Sequence, residues 1–224
     1  MDWTAIALSL RLATVVSLVL LFAGVPIAYW LATSTWRGKF LVEAVVSMPL
    51  VLPPTVLGFY VLLAIGSRGP IGRAWEAWTG HPLAFTFEAL VLASILYSLP
   101  FAVQPMAAAF SQIDMTLMEA SATLGASPLR TFFRIAVPLA AEGIIAGTVL
   151  SFAHTIGEFG VVLMVGGNLP GVTRTVSIAI YDDVQALQTA AANETAVALL
   201  VFSFAVLACV YALMRKPWAA APLT

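Results

Sequence analysis

The chain has 224 residues, 61% of them hydrophobic and 9% charged, with a net charge of −1 and a mean hydropathy of +0.99. Soluble domains carry about 25% charged residues, so a water-facing globule is excluded, since that much contiguous apolar surface would aggregate. The near-zero net charge gives no electrostatic basis for binding nucleic acid, and the lone Cys209 rules out a disulfide framework or a cysteine metal site.

A bilayer core of about 30 Å needs roughly 20 mostly apolar residues as helix. Five stretches qualify: 12–33, 41–65, 89–110, 143–166 and 195–214. Backbone groups in lipid have to be satisfied within each segment, so these are helices and the fold class is all-α, a polytopic helical membrane protein. The length fits a single transmembrane domain over 1–224.

The first stretch has no charge and is too long for the apolar core of a signal peptide, and Asp2 is the wrong start for one. It reads as a retained helix. The second carries Glu43 near one end and three prolines in Met48-Pro-Leu-Val-Leu-Pro-Pro54. Each proline removes an amide donor and crowds the preceding turn. The span is expected to be kinked and to face protein or a cavity, with Pro53 and Pro54 as pathway candidates. Pro100 and Pro105 are expected to kink the third stretch similarly.

Residues 111–142 form a loop too polar to span and too organised to be slack. Asp114 is a favoured N-cap for a helix from Met115 to Leu124, ended by Gly125 at the C′ position. Ser127-Pro128 restarts a helix that is expected to run over 128–136 and stop at Val137-Pro138. Met115, Leu117, Met118 and Leu124 give the first helix an adaptable contact surface.

The fourth stretch holds the only ionisable residues deep in an apolar segment. Ser151, His154, Thr155 and Glu158 stand at i, i+3, i+4 and i+7, on one helical face. Burying a charge in lipid costs at least about 2.5 kcal/mol, so the stripe faces a pathway or another helix. His154 and Glu158 have the spacing to pair. Gly143-x-x-x-Gly147 lets a second backbone come close. No further histidine or carboxylate cluster supports a metal. The linkers 67–86 and 167–193 contain Arg73, Trp75, Trp78, Arg174 and Tyr181. Arg174 is the candidate to guide an anion, since guanidinium suits planar anion recognition.

An odd number of spans puts the termini on opposite sides. Arg37, Lys39, Arg130, Arg134, Arg215 and Lys216 fall on one side, against Arg11, Arg68, Arg73 and Arg174 on the other. Basic residues collect on the cytoplasmic side. The N-terminus is therefore expected outside, with the C-terminus and the 111–142 loop inside.

Glu119-Ala-Ser121-x3-Gly125-x9-Ile135-Ala-Val137-Pro138 resembles the E-A-A-x3-G-x9-I-x-L-P motif of bacterial ABC importer permeases, with Ser121 for the second alanine and Val137 for leucine. In that family the short helix seats in a cleft of the ATPase subunit. The resemblance implies that Glu119, Ala120, Ser121, Leu124, Gly125 and Pro138 form the ATPase-coupling element, within a type I importer permease fold. Pro49–Pro54, Thr123–Phe133, Gly157-Glu-Phe-Gly160 and Asn168–Thr175 are also similar to the ModB family of molybdate permeases, over roughly residues 40–180.

This likeness implies a non-enzymatic subunit of an inner-membrane importer. It would work with a second copy of itself, two ATPase subunits that bind ATP and Mg²⁺, and an extracytoplasmic oxyanion-binding protein. No G-x-x-x-x-G-K-[ST] phosphate loop occurs in the chain, so no cofactor is expected here. Glu158 would repel an anion unless protonated or paired, which assigns tight selection to the binding protein. Sulfate and tungstate permeases are alternatives, and a proton-coupled carrier using His154 and Glu158 is a remoter one. That carrier leaves the 119–138 loop unexplained.

Overall fold

A computed structural model describes residues 1–214 of the chain. The Arg215–Lys216 pair used in the charge count, and the C-terminus itself, lie outside the described residues.

Short polar side chains and proline rings fix where the helices begin. Asp2 accepts from the Ala5 amide at 3.0 Å, Thr86 from Ala89 at 3.3 Å, Asp114 from Thr116 at 2.9 Å and Ser127 from Arg130 at 3.3 Å. Each satisfies an amide that has no partner inside its helix. Pro54, Pro70 and Pro128 stand at first helical positions, where their missing N–H costs nothing.

The resulting order is α1 (Trp3–Thr33), α2 (Lys39–Val51), α3 (Pro54–Ile65), α4 (Pro70–Thr79), α5 (Phe87–Ser111), α6 (Met115–Thr123) and α7 (Pro128–Thr131). A π turn (Phe132–Ala136) follows, then α8 (Val137–Leu139), α9 (Ala141–Gly157), α10 (Gly160–Gly166), α11 (Val176–Gln185) and α12 (Thr189–Met214). Among the described residues there is no strand. Three helices, α1, α5 and α12, are long and apolar enough to cross a membrane, and up to five spans result if each bent helix pair counts as one.

Several boundaries differ from the sequence expectation, each for a physical reason. Helix α1 starts at Trp3 rather than Leu12, because Asp2 caps it and Arg11 is accommodated over the Phe87 ring, 4.2 Å from its centroid. Span 41–65 is not one kinked helix. Helices α2 and α3 meet at 113°. A residue before proline is pushed out of the helical region, and here two in a row are: Leu52 (ψ 136°) precedes Pro53, and Pro53 (ψ 136°) precedes Pro54. Pro100 and Pro105 are isolated, and α5 runs unbroken through both.

The helix from Pro128 does not stop at Val137. The Val137 amide reaches back five residues to the Phe132 carbonyl, and this wide turn carries the chain past Pro138 to a 72° bend before α9. Span 143–166 is interrupted after Gly157, and the fifth helix begins at Thr189, six residues ahead of the expected 195.

Contacts between named residues give the helix directions. Arg11 meets Phe87, Gly24 lies against Val103, and Tyr29 meets Phe110, so α1 and α5 run parallel. Gly143 meets Pro105 and Ala109, Gly147 meets Ala102, and His154 meets Ser98, so α9 runs antiparallel to α5. The Met1 amino group faces Glu194 at 3.5 Å, and Phe152 faces Phe202, which sets α12 parallel to α1. The 111–140 loop therefore lies at the opposite end of the bundle from Met1.

The core sits where α1, α5 and α9 meet, around Leu12, Val16, Leu20, Val103 and Met106, all fully buried. Lipid tails are as apolar as leucine, so close packing rather than water exclusion holds this core. The approach of α9 to α5 depends on two glycines. A Cβ on Gly147 would collide with the Ala102 carbonyl oxygen, and one on Gly143 with Ala109 Cβ and the Pro105 carbonyl. Backbone cannot move aside as a side-chain tip can. Gly147→Leu is expected to cost about 1–3 kcal/mol or more by overpacking, read as a lower thermal midpoint of the detergent-solubilised protein. Ile145→Leu, on an exposed position of the same helix, is expected to leave the midpoint unchanged.

Candidate functional site

The two helix interruptions face each other. The break at Leu52–Pro53 precedes α3, the break at Glu158–Phe159 precedes α10, and α10 packs along α3 with Gly160 against Pro54 and Met164 against Gly58. Between them lies a cleft of about 550 Å³, bordered by Pro54, Thr55, Tyr97, His154, Glu158 and Gly160.

Glu158 is 5% exposed and does not pair with His154. Its backbone has left the helix (ψ 133°), and its carboxylate accepts from the Val161 amide at 2.6 Å. The side chain thus takes the place of the carbonyl that the interrupted helix lacks and caps α10. This meets the demand that backbone donors in lipid find partners inside the protein.

His154 belongs to a different network. Its Nδ1 lies 3.0 Å from Ser98 Oγ, which lies 2.9 Å from Thr155 Oγ1, while Thr155 donates to the Ser151 carbonyl at 2.8 Å. One proton arrangement satisfies all three contacts: Nδ1–H donates to Ser98, Ser98 to Thr155, and Thr155 to Ser151. The imidazole stacks on Phe101 with centroids 3.9 Å apart and meets Tyr97 at 4.9 Å.

The predicted polar stripe therefore divides in two. Ser151 and Thr155 are buried in the seam against α5, whereas His154 and Glu158 border the cleft with Pro54. Pro53 supplies the extended turn rather than a cleft wall.

Arg174 does not line this cleft. Its Nε donates to Asn168 Oδ1 at 2.7 Å and its Nη2 lies 3.3 Å from Asp182. Asn168 Nδ2 donates to both Asp182 oxygens, at 2.9 and 2.7 Å. The guanidinium thus clasps the 168–174 turn onto α11. Trp75 is half-buried against the Ile65 and Leu83 cluster, Trp78 is exposed, and Tyr181 lies on Phe159 at 5.0 Å.

At the other end of the bundle, the 111–140 loop projects as α6, a glycine turn, and α7. Gly125 has φ +79°, the left-handed region that glycine enters without strain. The Thr116 amide holds the Asp114 carboxyl below the usual carboxylate range. Glu119, Ala120, Leu124 and Pro138 are exposed, Leu124 at 88%. Ser121 is not: it turns inward and shares a buried 2.8 Å hydrogen bond with Thr131, tying α6 to α7. Between these two helices and the π turn lies a groove of about 450 Å³, with Leu117, Ala120, Leu124 and Ile135 as its apolar wall and Arg130 and Arg134 beside them.

Sequence reading missed Ser98, Tyr97, Phe101, Thr131, Asn168 and Asp182. The i, i+4 pairing of Ser94 with Ser98 and of Tyr97 with Phe101 in an apolar helix was a usable signal for α5. Thr131 and Asp182 had none, since their partners come from other turns of the chain.

Residues 24–216 match the family described as binding-protein-dependent transport system inner membrane component. The molybdenum transport system permease protein ModB of Azotobacter vinelandii is 50% identical over 214 residues, 96% of this chain and 95% of that protein. ModB of Escherichia coli K12 is 39% identical over 91% of this chain and 88% of its own. Among solved structures, a bacterial alginate ABC transporter in complex with an alginate-bound periplasmic protein superposes with a TM-score of 0.72 at 16% identity, covering 95% of this chain and 78% of that one. At that identity the likeness concerns the fold, a type I importer permease.

Removing the Glu158 cap tests its structural role. Glu158→Ala is expected to destabilise the protein by about 1 kcal/mol, the usual size of a lost N-cap. Glu158→Gln keeps an acceptor oxygen and is expected to lose less than half of that, both read as thermal midpoints in one detergent.

Proposed function

Since this chain belongs to the family of binding-protein-dependent transport system inner membrane components, and within it groups with the ModB permeases, we propose that it forms the translocation pathway of an ATP-driven importer for molybdate. It is a multi-pass inner-membrane transport subunit. A partner ATPase supplies the hydrolysis, and a binding protein outside the membrane delivers the anion. Two copies of the chain enclose the pathway, with the N-terminus outside and the 111–140 loop in the cytoplasm, as the bias of basic residues supports.

The observation that carries the coupling role is the build of that loop. A short helix ends in an exposed leucine, turns at a left-handed glycine, and is braced from behind by Ser121–Thr131. Exposed apolar residues on a rigid projection suit a protein socket. The π turn, α8 and the bend at Ala140 join this projection to the helix that carries His154, and Glu158 follows that helix. Displacement of the loop by the ATPase then acts on the α5–α9 seam as a rigid-body switch between packed states. Selection of the anion rests with the binding protein, since Glu158 in the cleft is acidic and Arg174 is already occupied by Asp182.

Leu124→Asp, and separately Glu119→Arg with Gly125→Pro, are expected to abolish ATPase co-purification and ATP-driven molybdate uptake in proteoliposomes, while membrane insertion and the amount of protein stay unchanged. Undiminished uptake would sink the assignment of this loop. Uptake of sulfate in preference to molybdate or tungstate, with the cognate binding protein present, would overturn the substrate.

A further inference from the structure

One face of α5 carries Tyr97 and Phe101, which meet His154 of α9, and beyond them the exposed Gln104, Ala108 and Ser111, spaced i, i+4, i+7, i+11 and i+14. These residues form one stripe along the helix, about 21 Å long at 1.5 Å per residue. A face turned to lipid would be apolar, as α12 is at Leu200, Val201 and Phe204, all exposed. The α5 stripe is polar at both ends and in its middle.

A second polar row faces its lower part. Lys39, Glu43 and Ser47 stand four residues apart on α2. Gln104 Nε2 donates to Ser47 Oγ at 3.1 Å, and Lys39 Nζ lies 3.4 Å from Glu43. Together these residues border a cleft of about 290 Å³ between α2 and α5. At the upper end of the stripe, Tyr97 opens on the cleft of about 550 Å³ beside Thr55 and His154. The two clefts thus share one face of one helix. Between them stands the Phe101–His154 stack.

We infer that this face of α5 is the track along which the anion crosses, and that Gln104 and Ser47 are its contact point for a tetrahedral oxyanion. The inference rests on the importer reading above and adds the residues. An amide NH₂ and a hydroxyl are donors without fixed charge. They can turn from each other toward the oxygens of an anion that has shed part of its water, and release it again. A free lysine would hold a dianion. Lys39 is instead balanced by Glu43, so the mouth attracts no anion strongly enough to trap it. The Phe101–His154 stack marks the narrow point between the two clefts.

Thiol labelling in the assembled transporter tests this. In a Cys209→Ser background, Gln104→Cys and Ala108→Cys are expected to react with an impermeant anionic methanethiosulfonate at least about tenfold faster than Leu200→Cys, because an ionised reagent enters only a hydrated track. Equal rates at 104 and 200 overturn the track. Gln104→Glu places a fixed negative charge on it and is expected to lower molybdate uptake about tenfold or more, with ATPase association intact. Gln104→Asn is expected to restore most of the rate. Unchanged uptake by Gln104→Glu overturns the contact point alone. If Gln104→Cys labels rapidly in the Cys209→Ser background while the Cys209→Ser parent takes up no oxyanion, the importer reading fails and the hydrated track stands.

Discussion

The approach of α9 to α5 at Gly143 and Gly147 governs the rest of the molecule. Two helices can come this close only where side chains are absent, and in lipid such contact is a main source of association energy. Once the backbones meet there, the residues above them are committed. Ser98 falls opposite Thr155 and His154, the imidazole lands on Phe101, and the polar groups of α9 are satisfied in the seam rather than in lipid. Below the glycines the same closeness delivers the chain to the bend at Ala140 and the projecting loop. A wider spacing between α5 and α9 would lose the cleft and the loop geometry together.

The second constraint is that no backbone donor in the membrane can go without a partner. The two interruptions meet it differently. At Leu52–Pro54 the donors are simply removed, since two of the three residues are prolines. At Glu158–Phe159 the donors remain and a side chain answers them. An acidic residue deep in an apolar segment, which composition alone marks as a site for chemistry, is here first a structural part that allows a helix to restart. The same carboxylate then borders the cleft, so its structural and pathway roles are not separable by position.

Much of this was legible in the sequence, unevenly. Helix starts at Asp114 and Ser127, the turn at Gly125 and the close approach at Gly143-x-x-x-Gly147 follow from local chemistry, and the structure has them. What local chemistry cannot give is which turn of which helix comes opposite. Ser121 was legible as a small residue of a contact helix, but its hydroxyl partner Thr131 exists only once the loop has folded back. Arg174 was legible as a cation near an outer surface, while Asn168 and Asp182, which occupy it, converge from a turn and a helix. The start of α1 was obscured by Arg11, because a charge reads as a boundary until an aromatic face is known to lie beneath it. The 113° angle between α2 and α3 needed the prolines to be read as a pair, each acting on its predecessor, rather than as three separate kinks.

The π turn at Phe132–Ala136 holds one residue more than an α-helix would spend on the same rise. Its ring Phe132 is wedged between Tyr29 and Phe110, with centroids 4.8 and 6.4 Å away, so the extra residue is pinned to α1 and α5. One residue corresponds to about 100° of helical phase. The turn therefore sets the angular registration between the projecting loop and the bundle, as the offset of a keyed shaft sets its gear. A relative lacking that residue would present the same docking helix rotated by about a quarter turn against the same helices. The number of residues between Pro128 and Ala140 is thus a constraint of phase, independent of which side chains fill it.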